Sequence, residues 1–138
     1  MHDNLYNECI AVLKFKVKRM NKLEYIPGDL GTYNGNIVII ENSDGYYATY
    51  YDEDEFLQEV NVNAIESIPL TPAILEKNGW EHTDDVYFKD YPQRKLVIYD
   101  DKAYIINESC SLFLCKVEFV HQLQHLLFGL GLNSEMEV

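Results

Sequence analysis

LGTYNGNIVIIENSDGYYATYY, residues 30–51, is the stretch that decides the fold, because two turn signals divide it into three short runs. Asn34-Gly35 is typical of a two-residue hairpin loop, in which both positions need a positive φ that asparagine and glycine tolerate. Asn42-Ser43-Asp44-Gly45 marks a second turn. We therefore predict three antiparallel strands joined by tight turns, over residues 30–33, 36–41 and 46–51.

Two further extended segments follow, from Phe56 to Val62 and from Ile65 to Leu70. Short strands at a spacing of about 8 to 12 residues are typical of a small, strongly bent sheet. The pattern leaves two alternatives open for this half of the chain, an antiparallel β meander and an SH3-like barrel. Towards the N-terminus, Leu13, Phe15 and Val17 alternate with lysines, which predicts a half-buried strand over about Ile10 to Lys18, with a helix over Leu5 to Leu13 as the alternative.

The clearest helix signal lies in the middle of the chain. Thr71 is a suitable N-cap, Pro72 is favourable at the first helical position, and Gly79 suits the position after the last turn. A helix of two turns is therefore predicted between them. Trp80 follows at once and is expected to pack against this helix.

The second half of the chain repeats the strand pattern and ends in a helix. Val120 to Leu130 has leucines on one side and Gly131 as its stop, which predicts an amphipathic helix that covers one face of a sheet. The predicted strands before it are Val86–Phe88, Lys95–Tyr99, Ala103–Ile106 and Ser111–Phe119. The predicted class is α+β, with a basic N-terminal extension or strand over 1–24, a small β subdomain over 25–70 and an α+β subdomain over 71–138.

The charge is distributed unevenly along the chain. The formal net charge is −12, but residues 1–24 carry a balance of +2, which leaves −14 on residues 25–138. Binding of duplex nucleic acid needs a cationic face that releases counterions from the phosphates, so the acidic body is a poor partner for it. A protein with a basic surface is the expected class of partner.

The chain is expected to remain in the cytoplasm. No apolar run approaches the ~20 residues that a membrane-spanning helix needs, so no membrane partner is predicted. Met1 to Asn4 begins no secretory signal. The odd number of cysteines, Cys9, Cys110 and Cys115, favours reduced thiols over disulfides.

Four potential zinc ligands lie close together in the sequence, at Cys110, Cys115, His121 and His125. His121 and His125 would share one helix face. However, the gap between the cysteine pair and the histidine pair is much shorter than in zinc fingers, and the cysteines lie on a predicted strand. We predict no bound metal and no cofactor.

An enzyme is the alternative class of function, in the form of a metal-dependent nuclease or another hydrolase. Asp100 and Lys102, with Asp84, Asp85 or Asp90 upstream, are the residue types of a nuclease site, but Asp100-Asp101 is also ordinary turn chemistry. The glycines match no phosphate-binding loop, and no nucleophile motif is present. No catalytic residue is predicted.

A tyrosine-rich hairpin that runs into an acidic turn is the candidate binding surface. Tyrosine is common in binding surfaces because it offers rigid amphipathic area at low entropic cost. Alternation along the strand should leave some of the rings exposed, with Tyr33 nearby. The candidate residues are Tyr46, Tyr47, Tyr50, Tyr51, Asp52, Glu53, Asp54 and Glu55.

Two segments carry a resemblance. Ile68–Trp80, reading IPLTPAILEKNGW, and Val120–Phe128, reading VHQLQHLLF, resemble parts of small uncharacterised proteins from phages and mobile elements of Bacteroides-type bacteria. The resemblance covers roughly residues 28–132, and residues 1–22 depart from it. It implies a phage or mobile-element origin and assigns no chemistry to any residue. The predicted function is therefore that of an accessory protein that binds a host or phage protein through an acidic or tyrosine-rich surface.

Overall fold

The computed structural model describes residues 25–92, 94–108 and 110–138. The strand or helix predicted before Lys18, the basic segment 1–24 and Cys9 lie outside the described residues. The description that follows concerns the described ranges alone.

The first half of the described chain contains two small antiparallel sheets. The strands are β1 (Leu30–Tyr33) paired with β2 (Asn36–Ile39), and β3 (Asn42–Ser43), β4 (Tyr47–Tyr51) and β5 (Leu57–Asn61) in the order β3-β4-β5. Asn34 and Gly35 have φ values of 50° and 79°, as a type I′ turn requires, so the predicted hairpin is confirmed. The described strands form no closed barrel, and the SH3-like alternative is not confirmed.

The extended segment predicted from Ile65 to Leu70 is not a strand. A 3₁₀ helix (Val62–Ala64) follows β5 directly, because the Asn61 side chain accepts the N–H of Asn63 and caps the turn. The segment 65–70 makes two isolated antiparallel bridges in place of a strand, Thr32 with Glu66 and Pro69 with Phe119.

The second half of the described chain is a five-stranded antiparallel sheet with two helices. The sheet order is β10-β9-β8-β7-β6. Its elements are α1 (Pro72–Lys77), β6 (Glu81–Thr83), β7 (Val86–Tyr91), β8 (Arg94–Tyr99), β9 (Lys102–Asn107), β10 (Cys110–Lys116) and α2 (Val120–Gly129). Thr71 caps α1 as predicted, since its hydroxyl accepts the N–H of Ile74 at 3.3 Å. The three exposed residues of β6 show no apolar alternation, and the sequence analysis missed them.

Helix α2 holds the described parts together. Leu123, Leu126 and Leu127 pack into the core of the five-stranded sheet, as predicted, and Trp80 and Leu75 belong to the same cluster. Val120, at the start of α2, packs instead with residues of the first half, Leu30 and Ile68. A third cluster, around Tyr25, Ile40 and Tyr50, fills the first half. No helix of the described ranges is long and apolar enough to cross a membrane.

Candidate functional site

Strand β4 divides the candidate tyrosines between two faces. Side chains alternate along a strand, so Ala48 and Tyr50 are buried, whereas Tyr47 and Tyr51 are 50% and 57% exposed. Tyr46, just before the strand, is 58% exposed. Tyr50 belongs to the core of the first half, so most of its ring is closed to a partner.

The acidic turn after β4 is organised by a single carboxylate. Asp52 accepts the backbone N–H groups of Asp54 and Phe56, both at 2.9 Å, and the side-chain amide of Gln58 at 2.8 Å. These hydrogen bonds, with that of Phe56 the strongest, hold the pKa of Asp52 below its ordinary value. Glu53 and Asp54 remain exposed and free to face a partner. Glu55 has a φ of 65° and completes the turn.

The exposed tyrosines and the acidic turn meet only in part. The chain after β2 pairs with β4 from Ser43 back to Glu41, whose N–H donates to the carbonyl of Thr49 at 2.7 Å. From Ile39 back to Asn36, no hydrogen bond joins β2 to β4 within the described ranges, and the two strands belong to separate sheets, so a gap is left between them. The groove between them has a volume of about 490 Å³ and is lined by Tyr33, Asn34, Asn36, Ile37, Val38, Tyr50, Tyr51, Asp52, Glu53 and Asp54. We call it the β2–β4 groove.

Five of the eight candidate residues thus line one groove, and three do not. Tyr46 and Tyr47 lie at the opposite end of β4, where Asp44 accepts both of their N–H groups at 2.8 Å. These two bonds hold the pKa of Asp44 below its ordinary value. Glu55 is also absent from the groove lining. The assignment of the eight residues to a binding site stays a prediction.

The wall of the groove combines aromatic rings with carboxylates. The rings of Tyr33 and Tyr50 lie 6.0 Å apart, tilted by 53°. Burial, followed by the nearby Tyr33 and Asp52, raises the pKa of Tyr50, so its phenol remains neutral. A lysine or arginine side chain in the groove would meet aromatic faces and negative charge together, which is the combination that cations prefer.

Sequence reasoning missed the contribution of β2 to this groove. Ile37 and Ile39 are 54% and 61% exposed, while Val38 and Ile40 are buried. The signal was present in the unbroken run Ile37-Val38-Ile39-Ile40, which is apolar on both faces of a strand. In a small sheet with only one buried face, such a run leaves apolar side chains in solvent.

A second polar cluster, also missed, is buried between the two halves. Asp29 pairs with His125, and its carboxylate also accepts the N–H of Ile26 at 2.9 Å. Gln124 accepts the N–H of Leu30 and donates to the carbonyl of Gly28, each at 2.9 Å. No local signal marks the pairing of Asp29 with His125, because the two residues lie 96 positions apart in the chain.

The four potential zinc ligands are spread over two elements. Cys110 is exposed at the start of β10, and Cys115 is buried near its end. His121 and His125 are buried on α2, with ring centroids 5.6 Å apart. Across residues 25–92, 94–108 and 110–138, no three or more histidine, cysteine or acidic side chains are grouped to hold a metal ion. The absence of a bound metal stays a prediction.

The residues of the nuclease alternative lie mainly in turns. Asp100 and Asp101 have φ values of 51° and 57° in the β8–β9 turn, and Lys102 lies 3.8 Å from Asp100. Asp85, Asp100 and Asp101 border a hollow of about 230 Å³. Asp90 pairs instead with a lysine on β8, at 3.7 Å. Asp85, Asp100 and Asp101 lie in turns rather than on a core strand, and the nuclease alternative stays a prediction.

Comparison with protein-family models, with curated proteins and with solved structures found no match.

Proposed function

We propose that this protein is an accessory protein, of phage or mobile-element type, that binds a basic segment of a host or phage protein in the β2–β4 groove. One observation carries the proposal. The groove joins the exposed Tyr51 and the half-buried Tyr33 to the carboxylates of Asp52, Glu53 and Asp54 in a single concave surface.

The groove fits a lysine or arginine side chain better than an apolar one. Its rim is acidic, and residues 25–138 carry a formal net charge of −14. This negative charge steers a basic partner towards the groove. Aromatic rings beside the carboxylates add attraction for a desolvated cation. The groove is open, as a site for a protein segment must be.

A peptide titration tests the proposal. The probe is acetyl-Lys-Val-Lys-Val-Lys-amide, and its control replaces each lysine by glutamate. We expect the lysine peptide alone to shift the NMR signals of Tyr33, Tyr51 and Asp54. Binding should weaken between about 0.05 and about 0.5 M salt, because exposed charges are screened over a few ångströms at the higher value.

Variants separate the aromatic from the acidic contribution. Tyr51→Ala should weaken binding about ten-fold or more, as loss of a central aromatic contact usually does. Tyr99→Ala is its matched control, because Tyr99 is 50% exposed on the other half of the protein. We expect the control to bind as the wild type does.

The charge variant is Glu53→Gln with Asp54→Asn, which spares the Asp52 carboxylate that organises the turn. It should weaken binding and flatten the dependence on salt. Glu81→Gln with Glu108→Gln removes two exposed carboxylates elsewhere, and it should leave the affinity and its salt dependence unchanged. Equal binding of the lysine and glutamate peptides, or an unchanged affinity of the Tyr51 and charge variants, would overturn the proposal.

A further inference from the structure

We infer that the β2–β4 groove holds its partner as an added β-strand, so that an extended segment of a basic protein pairs main chain to main chain with the open edge of β2. The inference rests on the proposed function and adds how the partner is recognised. Strand addition to an exposed sheet edge gives affinity through backbone hydrogen bonds, and neighbouring pockets select the side chains.

Ile37 and Ile39 direct their backbone N–H and C=O groups away from β1. In an antiparallel pair, successive residues alternate between facing the partner strand and facing away. Thr32 lies opposite Ile37, yet it exchanges both of its backbone hydrogen bonds with Glu66, on the far side of β1. The groups of Ile37, and of Ile39 two residues on, therefore point to the open edge of β2.

This open edge faces the groove. Glu41 lies two residues after Ile39, so its backbone groups point the same way as those of Ile37 and Ile39. Its N–H donates to the carbonyl of Thr49 on β4. On the opposite wall, the N–H of Asp52 bonds Phe56 towards β5, so the backbone groups of Tyr51 point the other way, into the groove. Both walls thus present backbone hydrogen-bonding groups to an extended occupant.

Ile37, Val38 and Ile39 give this edge no charge, proline or bulge that would hinder pairing. Native edges are usually blunted by charges, proline or bulges, whereas Ile37 and Ile39 are apolar and more than half exposed. Beyond the bond from Glu41, the structure gives no hydrogen bond across this edge within the described chain. The open edge of β5 differs, because Glu59 places a charge on it.

The negative charge of the groove favours a basic occupant. Asp52, Glu53 and Asp54 lie at the end of the groove nearest the β1–β2 turn. The basic side chains of an added strand would meet these carboxylates. An acidic strand would meet like charges at the same place, so a basic segment is the partner that the surface fits.

Amide hydrogen exchange measured by NMR tests the pairing, with the full chain and acetyl-Lys-Val-Lys-Val-Lys-amide. At saturation we expect exchange of the Ile37 and Ile39 amides to slow about ten-fold or more, because an N–H that bonds a new strand is shielded from water. The Leu57 and Glu59 amides, on the other sheet edge, should not change. Of two peptides N-methylated at alternate residues, the one whose amides facing β2 are blocked should bind more weakly than the other.

An edge variant gives a second measurement. Ile39→Pro removes one N–H from the edge and should weaken binding about ten-fold or more, whereas Glu59→Pro, on the edge of β5, should not. Thermal unfolding shows whether each variant remains folded. If Ile39→Pro does not fold, the N-methylated peptides still decide the question on the wild-type chain.

The outcomes distinguish this inference from the proposed function. Shifts of the groove signals without protection of Ile37 and Ile39, and with equal binding of both methylated peptides, overturn strand addition while groove binding stands. No peptide binding overturns both. Protection of these amides in the free chain also overturns the inference, since the edge is then covered by a segment of the chain itself, or by a second copy if protection rises with protein concentration.

Discussion

The imidazole Nε2 of His125 lies 2.5 Å from a carboxylate oxygen of Asp29, and both side chains are more than nine-tenths buried. The contact joins the segment before β1 to helix α2 across 96 positions of sequence. Gln124, next to His125, bonds the backbone on either side of Asp29. The two halves of the described chain are thus linked by polar contacts as well as by the packing of Val120.

Removing one member of the pair should be costly, because it leaves the other polar group buried without its partner. We expect Asp29→Ala and His125→Ala each to lower the free energy of unfolding by about 2–4 kcal/mol. The double variant should cost less than the two losses added together, by about 1–3 kcal/mol. Urea unfolding of the four proteins gives this coupling. If the losses of unfolding free energy in the two single variants are additive, the contact between Asp29 and His125 contributes no coupling energy.

Gly31 should not tolerate a side chain. A Cβ there would lie 2.6 Å from Cγ2 of the buried Ile65 and 3.3 Å from the Glu66 carbonyl. Gly31→Ala is therefore expected to lower the free energy of unfolding by about 1–3 kcal/mol, the usual cost of overpacking. Gly129→Ala is the matched control, because a Cβ there meets nothing within 4 Å and the residue ends α2. It should leave stability unchanged or raise it by up to about 1 kcal/mol. Denaturant unfolding of both variants checks the pair.

Acid should remove the contribution of Asp52 to stability. Hydrogen bonds from Phe56, Gln58 and Asp54 lower its pKa in the folded chain. At a pH between the ordinary value of about 3.9 and that lower pKa, Asp52 is protonated in the unfolded chain but still ionised in the folded chain. The stabilisation that Asp52 provides is therefore present above about pH 4 and is lost as the pH falls below it. Asp52→Asn should therefore be less stable than the wild type at neutral pH, and the difference should shrink at low pH.

Glu53→Gln is the control for this measurement, because Glu53 is an exposed carboxylate of the same turn. Urea unfolding at neutral and acidic pH is the readout. A gap between wild type and Asp52→Asn that stays constant over the range would mean that the carboxylate does not stabilise the turn.

Alkali should destabilise the fold through its buried phenols. Burial is the main cause that raises the pKa of Tyr25, Tyr50 and Tyr91. Above the ordinary value of about 10, the unfolded chain releases these protons while the folded chain keeps them, so stability falls as pH rises. Ultraviolet titration of the 11 tyrosines should show a group that ionises late. Tyr25→Phe should reduce the alkaline loss of stability, whereas Tyr99→Phe, at an exposed site, should not.

Local signals predicted the secondary structure well where backbone conformation alone decides it. The Asn34-Gly35 turn, the Thr71 cap of α1 and the leucine face of α2 depend on neighbours within a few residues, and each is found where it was predicted. The segment from Ile65 to Leu70 was predicted wrongly as a strand. Its apolar residues are buried by contacts with β1 and α2 rather than by a strand ladder.

The sequence by itself determined the α+β class, the hairpin turns, the acidic charge and the residues of the tyrosine-rich strand, because these depend on composition and on spacing along one chain. Only the tertiary structure decided which tyrosines are exposed, that Asp52 organises its turn while Glu53 and Asp54 face solvent, and that β2 and β4 diverge into a groove. It also brought Asp29 to His125. The physical reason is that burial, strand divergence and long-range pairing depend on which distant segments pack together, and no local pattern of residues specifies that choice.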